Sequence, residues 1–148
     1  MRRSPIEQIL ELQSIALFNK ASAEDLSEVA AFVAERDVSK GTVVFREGEP
    51  GDALYLIRSG EVELSKQKTV VARLMPGEAF GVVAVLDRLP RELTAVATQA
   101  CSLLVLRQSD LFQLLADRPL LMHSVFRALT SSIRDQLDRV SLGKHKES

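Results

Sequence analysis

The chain is 148 residues long, 46% hydrophobic and 26% charged, which suits one compact domain with a core of its own and excludes a disordered or coiled-coil protein. Nineteen Lys and Arg against twenty Asp and Glu give a formal charge of −1, which excludes a global electrostatic footprint for nucleic acid or an anionic membrane. Cys101 is the single cysteine and can form no internal disulfide, charged residues such as Arg58, Arg88 and Arg107 interrupt every apolar stretch, and Glu7 and Glu11 stand where a secretion signal is apolar; the expected compartment is the cytoplasm, with no membrane span.

In chain order, Ser4-Pro5-Ile6-Glu7 has the form of a capping box with proline at the first helical position. Ile6, Ile9, Leu10, Leu12 and then Ile15 to Leu17 continue an apolar stripe, and Phe18-Asn19-Lys20 marks its exit. Ser22-Ala23-Glu24-Asp25 caps a second helix, in which Leu26, Val29, Ala30 and Val33 recur at helical spacing to about Glu35. Helices are therefore expected over 4–35.

Over 36–107 β-branched residues alternate with polar ones, and six of the seven glycines fall in this stretch. The expected strands are 42–46, 53–59, 61–66, 69–74, 93–97 and 101–107. Short strands at this density of turn signals predict an antiparallel sandwich, barrel or roll. Ser109-Asp110 then caps a helix over 111–116 that Asp117-Arg118-Pro119 ends, and a last helix from Leu120 carries Leu121, Val125, Phe126, Leu129, Ile133, Leu137 and Val140 until Gly143. The C-terminal helices are thus placed in 109–142 with a polar tail over 143–148, and the whole chain, 1–148, reads as one domain.

Catalytic and metal chemistry find no constellation. His123 lies inside an apolar helix and His145 in the tail, Cys101 among apolar residues reads as a buried structural thiol, and no zinc-ligand spacing exists, so the chain is not expected to be an enzyme. Glu47-Gly48-Glu49-Pro50-Gly51-Asp52 lacks the twelve-residue calcium-loop spacing and reads as a turn between strands. Gly77-Glu78-Ala79-Phe80-Gly81 matches neither glycine-rich nucleotide loop.

The segment 76–96 admits two readings. If Val82 to Leu86 forms one helical turn, its first amides face an anion and Arg91 adds a bidentate fork, which outlines a phosphate site. The other reading is a tight crossover between strands with Arg91 as a solvated surface charge.

The chain resembles the cyclic nucleotide-binding domain of cyclic-nucleotide-dependent kinases, gated channels and catabolite-activator-type regulators. The resemblance covers about residues 10–140. It rests on Leu17-Phe18 before a Ser-led helix, Lys40-Gly41, Phe45-Arg46-Glu47-Gly48-Glu49-Pro50-Gly51-Asp52, Leu54-Tyr55-Leu56-Ile57-Arg58-Ser59-Gly60-Glu61-Val62 and Pro76-Gly77-Glu78-Ala79-Phe80-Gly81 taken together. It implies a mainly β fold, an antiparallel jelly-roll-type β-roll with two N-terminal and two C-terminal flanking helices, the last closing over the ligand. It also implies a phosphate-binding cassette at Phe80, Gly81, Val82, Val83, Ala84, Arg91, Glu92 and Thr94, with cAMP or cGMP as ligand and no other cofactor.

Two positions depart from the family pattern. The glutamate that accepts the ribose 2′-hydroxyl belongs directly after Phe80-Gly81, where this sequence has Val82, and Glu92 follows Arg91 where relatives often carry a small or hydroxyl residue. Loss of such a charge-assisted hydrogen bond costs about 1.5–3 kcal/mol, roughly tenfold to a hundredfold in affinity. Two functions follow: a regulatory module sensing a cyclic nucleotide, or a ligand-free interaction module that keeps the roll. Leu129, Ile133, Leu137 and Val140 offer a seam for a homodimer, and about forty residues after Arg107 are too few for both the closing helices and a helix-turn-helix, so no nucleic-acid partner is expected.

Overall fold

Ser4 Oγ accepts from the Glu7 amide and the Glu7 carboxylate accepts from the Ser4 amide, each at 3.2 Å. This capping box opens α1 (Pro5–Gln13) in the computed structural model, which describes residues 4–147. The helix ends before the expected exit at Phe18. A separate 3₁₀ turn, Ala16–Phe18, carries the apolar stripe onward and buries Leu17 and Phe18. Ser22 Oγ accepts from the Asp25 amide at 3.1 Å and opens α2 (Ala23–Ala30).

The second helix does not reach Glu35. Ala34 to Val38 form strand β1 (Ala34–Val38), which pairs antiparallel with β8 (Cys101–Arg107) from Ala34↔Val105 to Val38↔Cys101. Backbone pairing decides this strand, since of its residues Val38 alone is buried. The remaining strands are β2 (Val43–Phe45), β3 (Ala53–Ser59), β4 (Val62–Lys66), β5 (Thr69–Leu74), β6 (Ala79–Phe80) and β7 (Thr94–Ala97). Six lie where the sequence places them, β3, β5 and β8 on the expected bounds and β2, β4 and β7 shorter by one residue at an end, β2 at both; β1 and the two-residue β6 are additions. The strands make two antiparallel sheets, β1-β8-β3-β6 and β2-β7-β4-β5, and the fold is the predicted β-roll.

The two sheets are buried differently. Leu54 and Leu56 of β3 and Leu104 and Leu106 of β8 face a core shared with the helices, which contains Leu12, Phe18, Leu26, Leu111 and Leu121. Tyr55 and Ile57 of β3 and Leu103 of β8 face the interior between the sheets with Phe45, Val62, Phe80 and Ala95. The first sheet is therefore covered on both sides, and β3 is buried from Ala53 to Ile57 without alternation.

α4 (Gln108–Asp117) starts one residue before the expected Ser109-Asp110 cap, with Arg107 in the N-cap position and no side-chain cap bond. α5 (Pro119–Glu147) begins at Pro119 and runs past Gly143, so 143–147 are helical and not a tail. A lone glycine taxes a helix by about 1 kcal/mol without ending it. Arg118, at the junction of α4 and α5, meets Asp25 at 2.6 Å, Glu24 at 3.5 Å and Glu28 at 4.0 Å and so ties both C-terminal helices to α2. Among the described residues no helix is long and apolar enough to cross a membrane.

Candidate functional site

Arg91 is the centre of the site because its backbone is fixed before its side chain is considered. Its amide donates to Glu49 O and its carbonyl accepts from the Gly48 amide, both at 2.8 Å, while Pro50 bridges Pro90. The turn between β2 and β3 thus clamps the chain on either side of Arg91. Thr94 Oγ1 accepts from the Glu47 amide at 3.1 Å, Glu49 accepts from the Arg46 amide at 2.5 Å, and Glu47 accepts from the Gln67 amide at 2.9 Å. These carboxylates hold backbone turns, as the reading of this segment as a turn requires.

The Arg91 side chain is buried, the residue being 4% exposed, so it is not a solvated surface charge. Nη1 donates to Gly81 O at 2.9 Å and Nη2 to Ala53 O at 2.5 Å. The guanidinium lies 4.1 Å from the centre of the Phe45 ring, within the group formed by Phe45, Tyr55 and Phe80. Its nearest carboxylate, Asp52, is 3.8 Å away and largely exposed, and Nε has no hydrogen-bond partner. Burial pushes the guanidinium below its ordinary pKa, with Tyr55, Asp52 and Glu49 acting against the shift. An arginine nonetheless stays cationic at neutral pH, so the fold carries a desolvated cation with donors to spare.

α3 (Val82–Asp87) stands beside it. Gly81, in the N-cap position, has φ +76°, and a Cβ there would lie 2.6 Å from Arg91 Nη1. Gly51 is needed for closeness instead, since its Cβ would meet that of Ala84 at 2.6 Å. No side chain caps the first turn of α3, as the helical reading of 82–86 expects. At the far end Arg88 takes a left-handed conformation and lies over the Phe112 ring of α4 at 4.7 Å, and Gln108 Nε2 donates to Val85 O at 2.7 Å.

Around Arg91 opens a cleft of about 300 Å³. Of the eight residues singled out from the sequence, Phe80, Gly81, Val82, Val83, Ala84, Arg91 and Glu92 line it, and Thr94 does not. Leu64, Leu74, Ala79, Asp87, Leu89, Pro90 and Leu93 complete the walls, and the leucines among them carried no signal of a site; Phe45, the ring under Arg91, lay in the matching motif without an assigned role. Val83 is exposed, Val82 is half-buried against the helical core, and Glu92 is exposed. A second hollow, between α1, α2, β1, β3 and β8, has Arg58 in its wall, paired with Glu35 at 2.6 Å and Glu11 at 3.5 Å. Cys101 is a buried thiol donating to Glu61 O and Gln99 O at 3.3 Å, with its pKa pushed up by burial. His123 is exposed on α5, and no acidic, His or Cys cluster fit for a metal occurs among the described residues.

A model of the cyclic nucleotide-binding domain matches residues 35–118, which span the roll, α3 and α4. This chain belongs to the cyclic nucleotide-binding domain family. Within the family it is 32% identical over 133 residues to the cyclic AMP receptor protein of Thermus thermophilus, covering 84% of this chain and 62% of the relative. It is 39% identical over 88 residues to a cAMP-dependent protein kinase regulatory subunit of Yarrowia lipolytica, covering 58% of this chain and 24% of the relative. The chain spans less than two thirds of the length of these curated relatives. The N-terminal domain of a transcriptional regulator from Streptomyces coelicolor superposes with a TM-score of 0.76 at 30% identity, covering 86% of this chain and 95% of that one.

Proposed function

We propose that this domain is a non-catalytic regulatory sensor of the cytoplasm, a single module over 1–148, whose cleft takes the cyclic phosphate of cAMP or cGMP on Arg91. The observation that carries this reading is the buried Arg91 guanidinium in the wall of a cleft of about 300 Å³, a volume at the lower end of the range of small-ligand sites. Membership of the family supports it, and the bonds from Gln108 to Val85 and from Arg88 to Phe112 offer a path from cleft to C-terminal helices. Calorimetric titration of the wild type with cAMP and cGMP should show weak binding that Arg91→Ala removes. No heat at millimolar ligand, or binding that survives in Arg91→Ala, defeats the reading.

A specific observation favours an interaction role as well. Phe126, Ile133 and Leu137 of α5 are exposed in a row, with Ile133 57% and Leu137 64% exposed. Leu129, expected in the same seam, packs against the helical core, and the Val140 side chain lies outside the described residues. We assign this stripe to a second copy of the chain. Light scattering should report a dimer that Leu137→Glu splits; a monomer at high protein concentration removes it.

A further inference from the structure

We propose that the cleft also takes a second class of ligand, a medium-chain monocarboxylic acid with its head at Arg91 and its hydrocarbon body along the leucine wall. The inference goes beyond the cyclic-phosphate reading and shares with it only the role of Arg91. Arg91 is the one cation among the described residues that line the cleft. From its own protein it meets two carbonyl oxygens, Gly81 O and Ala53 O, and the exposed Asp52 carboxylate at 3.8 Å. A guanidinium fork suits a planar carboxylate as well as it suits a phosphate.

The rest of the lining sets the body of the ligand. Leu64 and Leu74 come from β4 and β5, and Leu89 and Leu93 from the segment on either side of Arg91. Val83 and Leu89 leave apolar surface in water at the cleft, and a hydrocarbon chain laid on them removes that surface without needing a hydrogen-bond partner. Asp87 and Glu92, the two carboxylates of the lining, are exposed and oppose a second negative charge, which restricts the acid to one head. A cleft of about 300 Å³ stands at the small end of ligand sites and suits a chain of medium length.

The test is calorimetric titration of the whole wild-type chain with octanoate, hexanoate, octanedioate and octan-1-ol, each below its micellar or solubility limit. Octanoate should bind about tenfold more tightly than hexanoate, the effect of two further buried methylenes, and at least about tenfold more tightly than octanedioate or octan-1-ol. In Arg91→Met the advantage of octanoate over octan-1-ol should disappear. No octanoate heat at millimolar concentration, equal binding of the alcohol or the diacid by the wild type, or octanoate binding that Arg91→Met leaves unchanged overturns the inference. A cAMP titration decides the other reading separately. Binding of cAMP without octanoate removes the acid and leaves the cyclic phosphate, and binding of octanoate without cAMP does the reverse. Where both bind, octanoate should displace cAMP, and independent binding of the two overturns the acid's place in the cleft.

Discussion

Arg118, between α4 and α5, is surrounded by the carboxylates of Asp25, Glu24 and Glu28, and hydrogen bonding to Asp25 raises its pKa. Arg91, between α3 and β7, meets two neutral carbonyls and one exposed carboxylate, Asp52, at 3.8 Å, and burial lowers its pKa. Both side chains join segments far apart in sequence. One is matched in charge by its own protein and serves as a staple. The other is held mainly by neutral oxygens, keeps a buried Nε without a partner, and stands in the wall of the cleft.

The contrast can be broken most directly at the arginines themselves. Arg91→Met should cut cAMP affinity by at least about a hundredfold, yet change folding stability by less than about 1 kcal/mol, because relief of the desolvated charge offsets two lost carbonyl bonds. Arg118→Met should do the reverse. It strands the buried Asp25 carboxylate, lowering the melting temperature by more than Arg91→Met does while leaving cAMP titrations unchanged.

Gly81→Ala comes next. With φ +76° and a Cβ placed 2.6 Å from Nη1, it should destabilise the fold by about 1–2 kcal/mol in denaturant titrations and weaken cAMP binding. In an Arg91→Met background the part due to the steric clash should shrink, so the two changes will not add. Val82→Glu places an acceptor beside Gly81 and should strengthen cAMP binding by roughly tenfold in calorimetric titration. The smallest effect is salt. From about 0.1 M to about 1 M NaCl the melting-temperature gap between wild type and Arg118→Met should narrow more than that for Arg91→Met, because Arg118 is held by three carboxylates and Arg91 mainly by two carbonyls.

The strands that alternate or run apolar between glycine turns were legible because their side chains state the burial: β5 and β8 fall on the residues expected from the pattern. β1 was not, because Glu35, Arg36 and Asp37 look like a helix end; it exists through its backbone bonds to β8, which no local pattern records. The 3₁₀ turn Ala16–Phe18 was hidden for a related reason: Ile15 is extended and breaks the helix, but the run of apolar residues from Ile15 to Phe18 reads in sequence as a continued stripe. At the site, Arg91 and the short α3 were visible as alternatives. Choosing between a solvated and a buried arginine required the turn over 47–50, whose backbone holds Arg91 from across the sheet. The leucines of the cleft gave no warning, because a wall residue and a core residue have the same periodicity.

The length of α5 has a mechanical consequence. Its 29 residues make a rod of about 43 Å at 1.5 Å rise per residue, and Arg118 sits at its root. Leu121, Val125 and Leu129 seat its first turns in the helical core, so a bend of about 10° beyond Leu129 would sweep the far tip through about 5 Å, close to one helical pitch. A sub-ångström adjustment of α3, passed through the bond from Gln108 to Val85 into α4, would thus be geometrically magnified before it reached anything docked along the rod.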